Sequence, residues 1–533
     1  MYGYAENKLP RAASPEAAGV SSDAVEQMLA EIESSGVNEH GFMIVRGGRV
    51  AAESFRFPYA ADRPHIMYSS SKPVTATAVG FAVDEGLLTL DTKVLDIFPD
   101  YRPRKRDEKL ETLTVRHLIT MQSGKKPSIL ANKTKDNWLQ SYFDAPFEFA
   151  PGAGFDYVNE NCYVLCAIVS RVAGMSVTEY LTPRLWEPLG IPVPFWETDP
   201  RGIEVGGWGI FMSAESLAKF GLCYLNAGMF QGRQVIPEWF AREAVKNHKP
   251  LINGGEPDFE PGYGYCIWRS GPGNSYRFEG MFGQICFVFE KHDALVVVIA
   301  GEMNTGRIHD YVWNHFPNGF IDADETVKPR EGLGEKLAGR HIDALPVRAR
   351  SPLEKTIEGK TIRFRNSLLL KAFGFPMSVL TLAATYMTRD RAGNINDVRL
   401  TFGADTCSMT WTEGDETNTV LCGMDGKHRE TPITLAGTKY TAFCSASWKD
   451  QNTLEVEITP VESISSRVLE FAFHRRKVRM TPSGIPSVKV MIDGISAGTD
   501  TQFKNKYFIA FARKTLEIVK IIIEPVHKGR LKK

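Results

Sequence analysis

Residues 67–86 read MYSSSKPVTATAVGFAVDEG: three serines, a lysine, then a small apolar run. The run predicts a buried helix with Gly86 as its C-terminal stop. On a helix, residues three apart share a face, whereas neighbours one or two apart do not. That spacing pairs the Ser69 hydroxyl with the Lys72 ammonium and turns Ser70 and Ser71 elsewhere. A nucleophile at a helix N-terminus also meets free backbone N–H groups, which stabilise the negative charge of acyl transfer. Lys72 can help only if part of it is neutral, so burial or a nearby cation must lower its pKa.

The Ser-x-x-Lys pattern recurs as Ser123/Lys126, after a helix should stop, and as Ser216/Lys219 in an amphipathic helix. Both read as surface pairs. A second catalytic group is expected, and PGAGFDYVNENCYVL (151–165) offers Tyr157 and Asn159 in a loop-like stretch before a helical run. The phenol can relay the serine proton to a leaving group. The Asn159 amide can hydrogen-bond substrate or fix Lys72.

At 533 residues with 43% hydrophobic content, the chain should form at least two domains. Lys plus Arg and Asp plus Glu both total 63, so net charge gives no reason to expect nucleic acid or an anionic membrane as partner. The tail HKGRLKK (527–533) reads as a frayed, solvated end. The N-terminus lacks the pattern of an export signal, from which a cytoplasmic location is expected. The apolar stretch SLLLKAFGFPMSVLTLAATYM (367–387) is broken by Lys371 and Pro376, so no membrane segment is expected. Eight cysteines without a CxxC pair read as reduced, mostly buried thiols. No HExxH or other ligand spacing stands out, so neither metal nor organic cofactor is expected.

Residues 1–330 mix helical and strand patterns. HGFMIVRGGRVAAESF (40–55) reads as a hairpin around Gly47 and Gly48, and QICFVFEKHDALVVVIAG (284–301) as two adjacent strands. TVRHLITMQSG (114–124) predicts a helix from a Thr114 cap to Gly124, and SAESLAKFGLCYLNAG (213–228) one capped by Ser213. From about Glu331 the texture turns all-β, with KTIRFR, DVRLTF, TLEVEIT, RVLEFAFHR and TLEIVKIII as short alternating strands. Closure into a barrel or lipocalin-like domain over 331–533 would hide their edges. The linker is expected near TVKPREGLGEK (326–336).

Five segments, in order, resemble the serine β-lactamase-related hydrolases: YSSSKPVTATAVG, GLLTLDTKVLDIFPDY, TVRHLITMQSG, PGAGFDYVNENCYVL and GGWGIFMSAESLAKFGLCYLNAGMFQGRQVIPEWF. That superfamily groups class C β-lactamases, D-alanyl carboxypeptidases and penicillin-binding-protein-like esterases and amidases. The resemblance covers roughly residues 10 to 320. It implies an α+β fold, an antiparallel sheet flanked by helices plus a helical subdomain, with the site in the groove between. Ser69 takes the nucleophile's place, Lys72 its activating partner's, and Tyr157 with Asn159 the second motif. The third motif maps onto FEGMFGQ: Phe278, Glu279 and Gly280 fill its triplet, and the N–H groups of Met281 and Ser69 would form the oxyanion hole. Phe278 departs from the lysine or histidine common at the first place, which argues against efficient turnover of penicillin-like substrates. Gln284 resembles a position of the esterase and amidase branches. Trp208, with Phe211, lies where the family places a groove-lining loop, though core packing accounts for both.

The resemblance therefore implies a serine hydrolase that cleaves a small ester or amide through an acyl-enzyme on Ser69. Whether Lys72 or Tyr157 is the formal base stays open. A D-amino-acid peptidase or weak β-lactamase is the alternative among enzymes, and a non-catalytic scaffold the alternative of another class. The expected partner is a small-molecule substrate; association into a homo-oligomer is left open.

Overall fold

The computed structural model describes residues 8–101, 103–105, 107–126, 136–249, 262–321, 329–365, 395–435, 437–485, 487, 524 and 526–532. The chain divides into two compact units. The first continues to Arg340 and the second begins at His341, with Arg56–Tyr59 and Gly301–Asn304 belonging to the second.

The first unit is built on an antiparallel sheet of β1 (Glu39–Arg46), β2 (Arg49–Phe55), β3 (Trp268–Arg269), β4 (Tyr276–Gly280), β5 (Gln284–Phe289) and β6 (Ala294–Ala300), in the order β2-β1-β6-β5-β4-β3. The β1–β2 hairpin turns where the sequence places Gly47 and Gly48, both at positive φ. Two helices, α1 (Ser22–Ser35) and α5 (Gly306–His315), pack on one face. Val25, Met28, Leu29 and Ile32 of α1 recur at helical spacing and join Phe42, Ile44, Phe287, Val296 and Val298 in one core. Ser21 caps α1 by accepting from the Ala24 N–H, and Gly36, at φ 67°, ends it. Among the remaining helices are α2 (Lys72–Asp84), α3 (Asn159–Ala173) and α4 (Ala214–Leu225). Helix α4 starts where Ser213 accepts from the Ser216 N–H at 3.0 Å, as its cap predicts.

Four expectations change. The Thr114-capped helix covers only Val115–Ile119, because the chain leaves helical geometry at Thr120, well before Gly124. Ser216 and Lys219 are buried, not superficial, and the Lys219 ammonium donates to the Gly190 carbonyl. The stretch 331–340 belongs with the first unit: Leu333 and Leu337, on the short helix Leu333–Ala338, enter the same core as α1. The fourth concerns the C-terminal tail.

Among its described residues the second unit holds ten strands: β7 (Thr361–Phe364), β8 (Ile395–Phe402), β9 (Thr406–Glu413), β10 (Glu416–Gly423), β11 (Arg429–Leu435), β12 (Thr438–Asp450), β13 (Thr453–Pro460), β14 (Ser466–His474), β15 (Lys477–Ile485) and β16 (His527–Leu531). Nine of them close into a barrel through the pairing of β10 with β12, and β11 pairs with β12 alongside. Alternation drives this. In β9, Cys407, Met409, Trp411 and Glu413 are buried and the residues between them are half-exposed. The tail His527–Leu531 is the strand joining β7 to β15, not a frayed end, since His527, Gly529 and Leu531 point inward and complete the ring. The expected strand TLEIVKIII and the apolar stretch 367–387 lie outside the described residues. All eight cysteines are free and buried. Among the described residues no single helix is long and apolar enough to cross a membrane.

Candidate active site

Tyr68–Ser71 forms a 3-10 turn that leads straight into α2 at Lys72. A 3-10 turn has three residues per turn, so positions i and i+3 eclipse. The Ser69 and Lys72 side chains accordingly meet, Nζ to Oγ at 2.8 Å. The other two serines are buried and otherwise engaged. Ser70 donates to the Gln284 carbonyl at 2.6 Å and Ser71 to the Tyr68 carbonyl at 2.6 Å. Ser69 alone is partly exposed. Tyr68, directly before it, sits at φ 45°, a conformation costing a non-glycine residue about 1–3 kcal/mol that commonly marks functional sites.

Lys72 is buried and makes three contacts: Ser69, the Asn159 Oδ1 at 2.6 Å and the Gly207 carbonyl oxygen at 2.7 Å. The last two atoms only accept, so they pin two N–H bonds. The third tetrahedral position, a proton or a lone pair, is aimed at Ser69. Burial pushes the Lys72 pKa down to about 8, against weak opposing effects of Cys162, Cys266 and Glu160. A usable fraction of neutral amine therefore exists near neutrality.

Tyr157 closes the constellation. Its ring lies 4.6 Å from the Lys72 Nζ, and its hydroxyl is close enough to the Ser69 side chain for Ser69 to favour the ionised phenol. Burial holds the phenol well above its ordinary pKa, so it stays protonated near neutrality. The ring stacks on Trp268 at 5.3 Å and meets Tyr263 edge-on at 6.1 Å. Sequence reasoning did not single out this aromatic wall; the cluster PGYGYCIWRS (261–270) was its only signal.

Gly207 was also missed. A Cβ there would lie 2.7 Å from the Asn159 carbonyl oxygen, so only glycine brings this loop close enough to offer its own carbonyl to Lys72. Gly280 has the same role on the other side, where a Cβ would lie 2.1 Å from the Met67 carbonyl oxygen. It seats the β4–β5 turn, with Met281 exposed at its tip, against the segment carrying Ser69.

Four residues expected to contact substrate have other surroundings. Phe278 is fully buried against Phe220, Tyr224 and Tyr276, because strand alternation turns it toward α4. Glu279 is not a solvated strand residue. It pairs with Arg277 at 2.5 Å and His309 at 3.2 Å; burial alone would raise its pKa, but these cations hold it down to about 2. Gln284 is buried and clips β5 to β6, donating to the Ala300 carbonyl at 2.6 Å and accepting from the Ala300 N–H at 3.3 Å. Trp208 is buried against Trp138, and its carbonyl accepts from the Trp196 indole. Among the described residues, no group of three or more His, Cys, Asp or Glu side chains is arranged to hold a metal ion.

A helix-flanked antiparallel sheet with Ser-x-x-Lys at the head of a helix defines the class of β-lactamase/transpeptidase-like folds. A model of the Beta-lactamase family matches residues 22–313. The chain belongs to the Beta-lactamase family. It is similar to the 6-aminohexanoate-dimer hydrolase of Paenarthrobacter ureafaciens, 28% identical over 302 residues that are 52% of this chain and 76% of that protein. It is also similar to esterase EstB of Burkholderia gladioli, 30% identical over 174 residues, 29% of this chain and 44% of that protein. A solved penicillin-binding protein from Bacillus halodurans aligns over 53% of this chain and 97% of its own, with 18% identity and TM-score 0.43.

Proposed function

We propose that the protein is a serine hydrolase that cleaves a small ester or amide through an acyl-enzyme on Ser69. The observation that carries this reading is the convergence of Ser69, Lys72 and Tyr157, with Lys72 held by two acceptor-only oxygens. The neutral Lys72 amine accepts the Ser69 proton as Oγ attacks the carbonyl carbon. Because burial keeps Tyr157 protonated, lysine is the better base, and the phenol is the better donor to the departing alcohol or amine. The N–H groups of Ser69 and Met281 hold the oxyanion. Water then attacks the acyl carbon through the same groups in reverse.

Small esters and amides are favoured over β-lactams. The triplet position that commonly supplies a cation holds Phe278, buried among aromatic rings, and the charge of Glu279 is already neutralised by Arg277. Two relatives named for an amide and an ester reaction, the dimer hydrolase and EstB, support the same choice. A panel of p-nitrophenyl esters, short linear amides and a chromogenic cephalosporin tests it. Turnover of at least one ester or amide, abolished by Ser69→Ala, is expected; cephalosporin as the best substrate would overturn the preference.

A further inference from the structure

Strands β7, β16 and β15 lie side by side in the barrel, and their register stacks like charges. Arg363 pairs across from Arg530, Arg530 from Lys477, and Lys528 from Arg479. Arg365 continues beside Lys528, donating its backbone N–H to that residue's carbonyl. The alternate residues Ile362, Phe364, Gly529, Leu531, Val478 and Met480 are buried, so all these cations share the outer face, and all are exposed. Like charges directly opposite destabilise a sheet. Among the described residues only Arg363 has a carboxylate partner, Asp397, which accepts both its guanidinium contacts. Arg365, Lys477, Arg479, Lys528 and Arg530 have no acidic partner among the described residues.

The β14–β15 hairpin breaks a second local rule. Its turn is Arg475-Arg476, with Arg475 at φ 54°, where two-residue hairpins favour glycine or asparagine. Local stability has thus been given up twice to concentrate positive charge in one place, a conflict that marks a functional surface. The same strand ends border a recess of about 1460 Å³. Net neutrality of the chain conceals this, since the charge is balanced elsewhere.

We infer that the outer face of β7, β16 and β15 is a docking surface for a bilayer containing anionic phospholipid. This departs from the expectation drawn from net charge. Two observations favour lipid over nucleic acid. Among the described residues the face carries no exposed Phe, Tyr or Trp on which bases could stack, and its far end carries the exposed apolar side chains Val526 and Ile485. Basic residues combined with apolar ones are the pair of signals that lasting attachment to a membrane surface needs.

Flotation of the full chain with phosphatidylcholine vesicles, with and without phosphatidylglycerol, tests this. Binding is expected only with phosphatidylglycerol and is lost in high salt. The variant Lys477→Glu/Arg479→Glu/Lys528→Glu/Arg530→Glu should lower partitioning by about a hundredfold or more. The milder Lys528→Gln/Arg530→Gln should lower it about tenfold while melting no lower than wild type, because it relieves the like-charge pairs. Wild-type chain that ignores phosphatidylglycerol vesicles, variants that bind as well as wild type, or binding to duplex DNA in place of vesicles would each overturn the proposal.

Discussion

The Asn159 side-chain oxygen lies 2.6 Å from the Lys72 ammonium and offers it nothing but an acceptor. This contact orients the lysine without adding charge, so its chemistry depends on an amide at that position. Asn159→Asp would put a carboxylate at the same distance and raise the Lys72 pKa by about 1 unit or more. The rising inflection of kcat/KM should move up accordingly. An unmoved profile would show that Lys72 is not the titrating base.

In the wild-type chain that inflection is expected near pH 8, with activity rising as Lys72 loses its proton. The same shift has a stability consequence. The folded pKa lies below the unfolded one, so the unfolded chain binds more protons between about 8 and 10.5. Stability relative to Lys72→Met should therefore rise with pH across that window, by up to about 3 kcal/mol. Denaturant melts of both chains at three pH values measure it.

Gly207→Ala forces a Cβ toward the Asn159 backbone and pulls a carbonyl away from Lys72. A loss of about tenfold or more in kcat is expected, with about 1–3 kcal/mol of stability. Gly334→Ala, on the helix Leu333–Ala338 where a Cβ meets nothing within 4 Å, is the control and should leave kcat unchanged and stability no lower than wild type.

Phe278→Lys, which restores the residue type common in β-lactamases, should fail to create one. The new ammonium would be buried against Phe220 and Tyr224, destabilising the fold by about 3 kcal/mol or more. A well-folded variant with increased cephalosporin turnover would show that this strand position faces substrate.

Glu279→Gln leaves Arg277 buried without its carboxylate, at a cost of about 3–5 kcal/mol. Because the folded pKa of Glu279 is depressed to about 2, its contribution is present above about 4.5 and is lost as pH falls toward 2. The wild-type advantage over the variant should shrink across that interval in acid-titrated melts.

What the sequence made legible follows the range of each interaction. Ser69 and Lys72 meet through local geometry, three residues apart at a helix start, and could be read directly. The hairpin at Gly47 and the cap at Ser213 are local in the same sense. Tyr157 was reachable because its loop carries its own punctuation. Gly207 was not, since its contribution is a backbone carbonyl delivered by a close approach between distant segments. Phe278 was misplaced for a related reason: a five-residue strand has two faces, and only packing against α4 decides which one is inward. Strand β16 looked like a solvated tail because its inward residues, His527, Gly529 and Leu531, include just one large apolar side chain. The cationic rungs it forms with Arg363 and Lys477 exist only once three distant strands are in register.

The most direct test of the central claim is active-site labelling of the intact chain with a fluorophosphonate, read by whole-protein mass and peptide mapping. One adduct per chain on Ser69 is predicted, absent from Ser69→Ala and retained in Ser70→Ala and Ser71→Ala. A folded protein that takes up no label, or that carries it on another serine, would contradict the account.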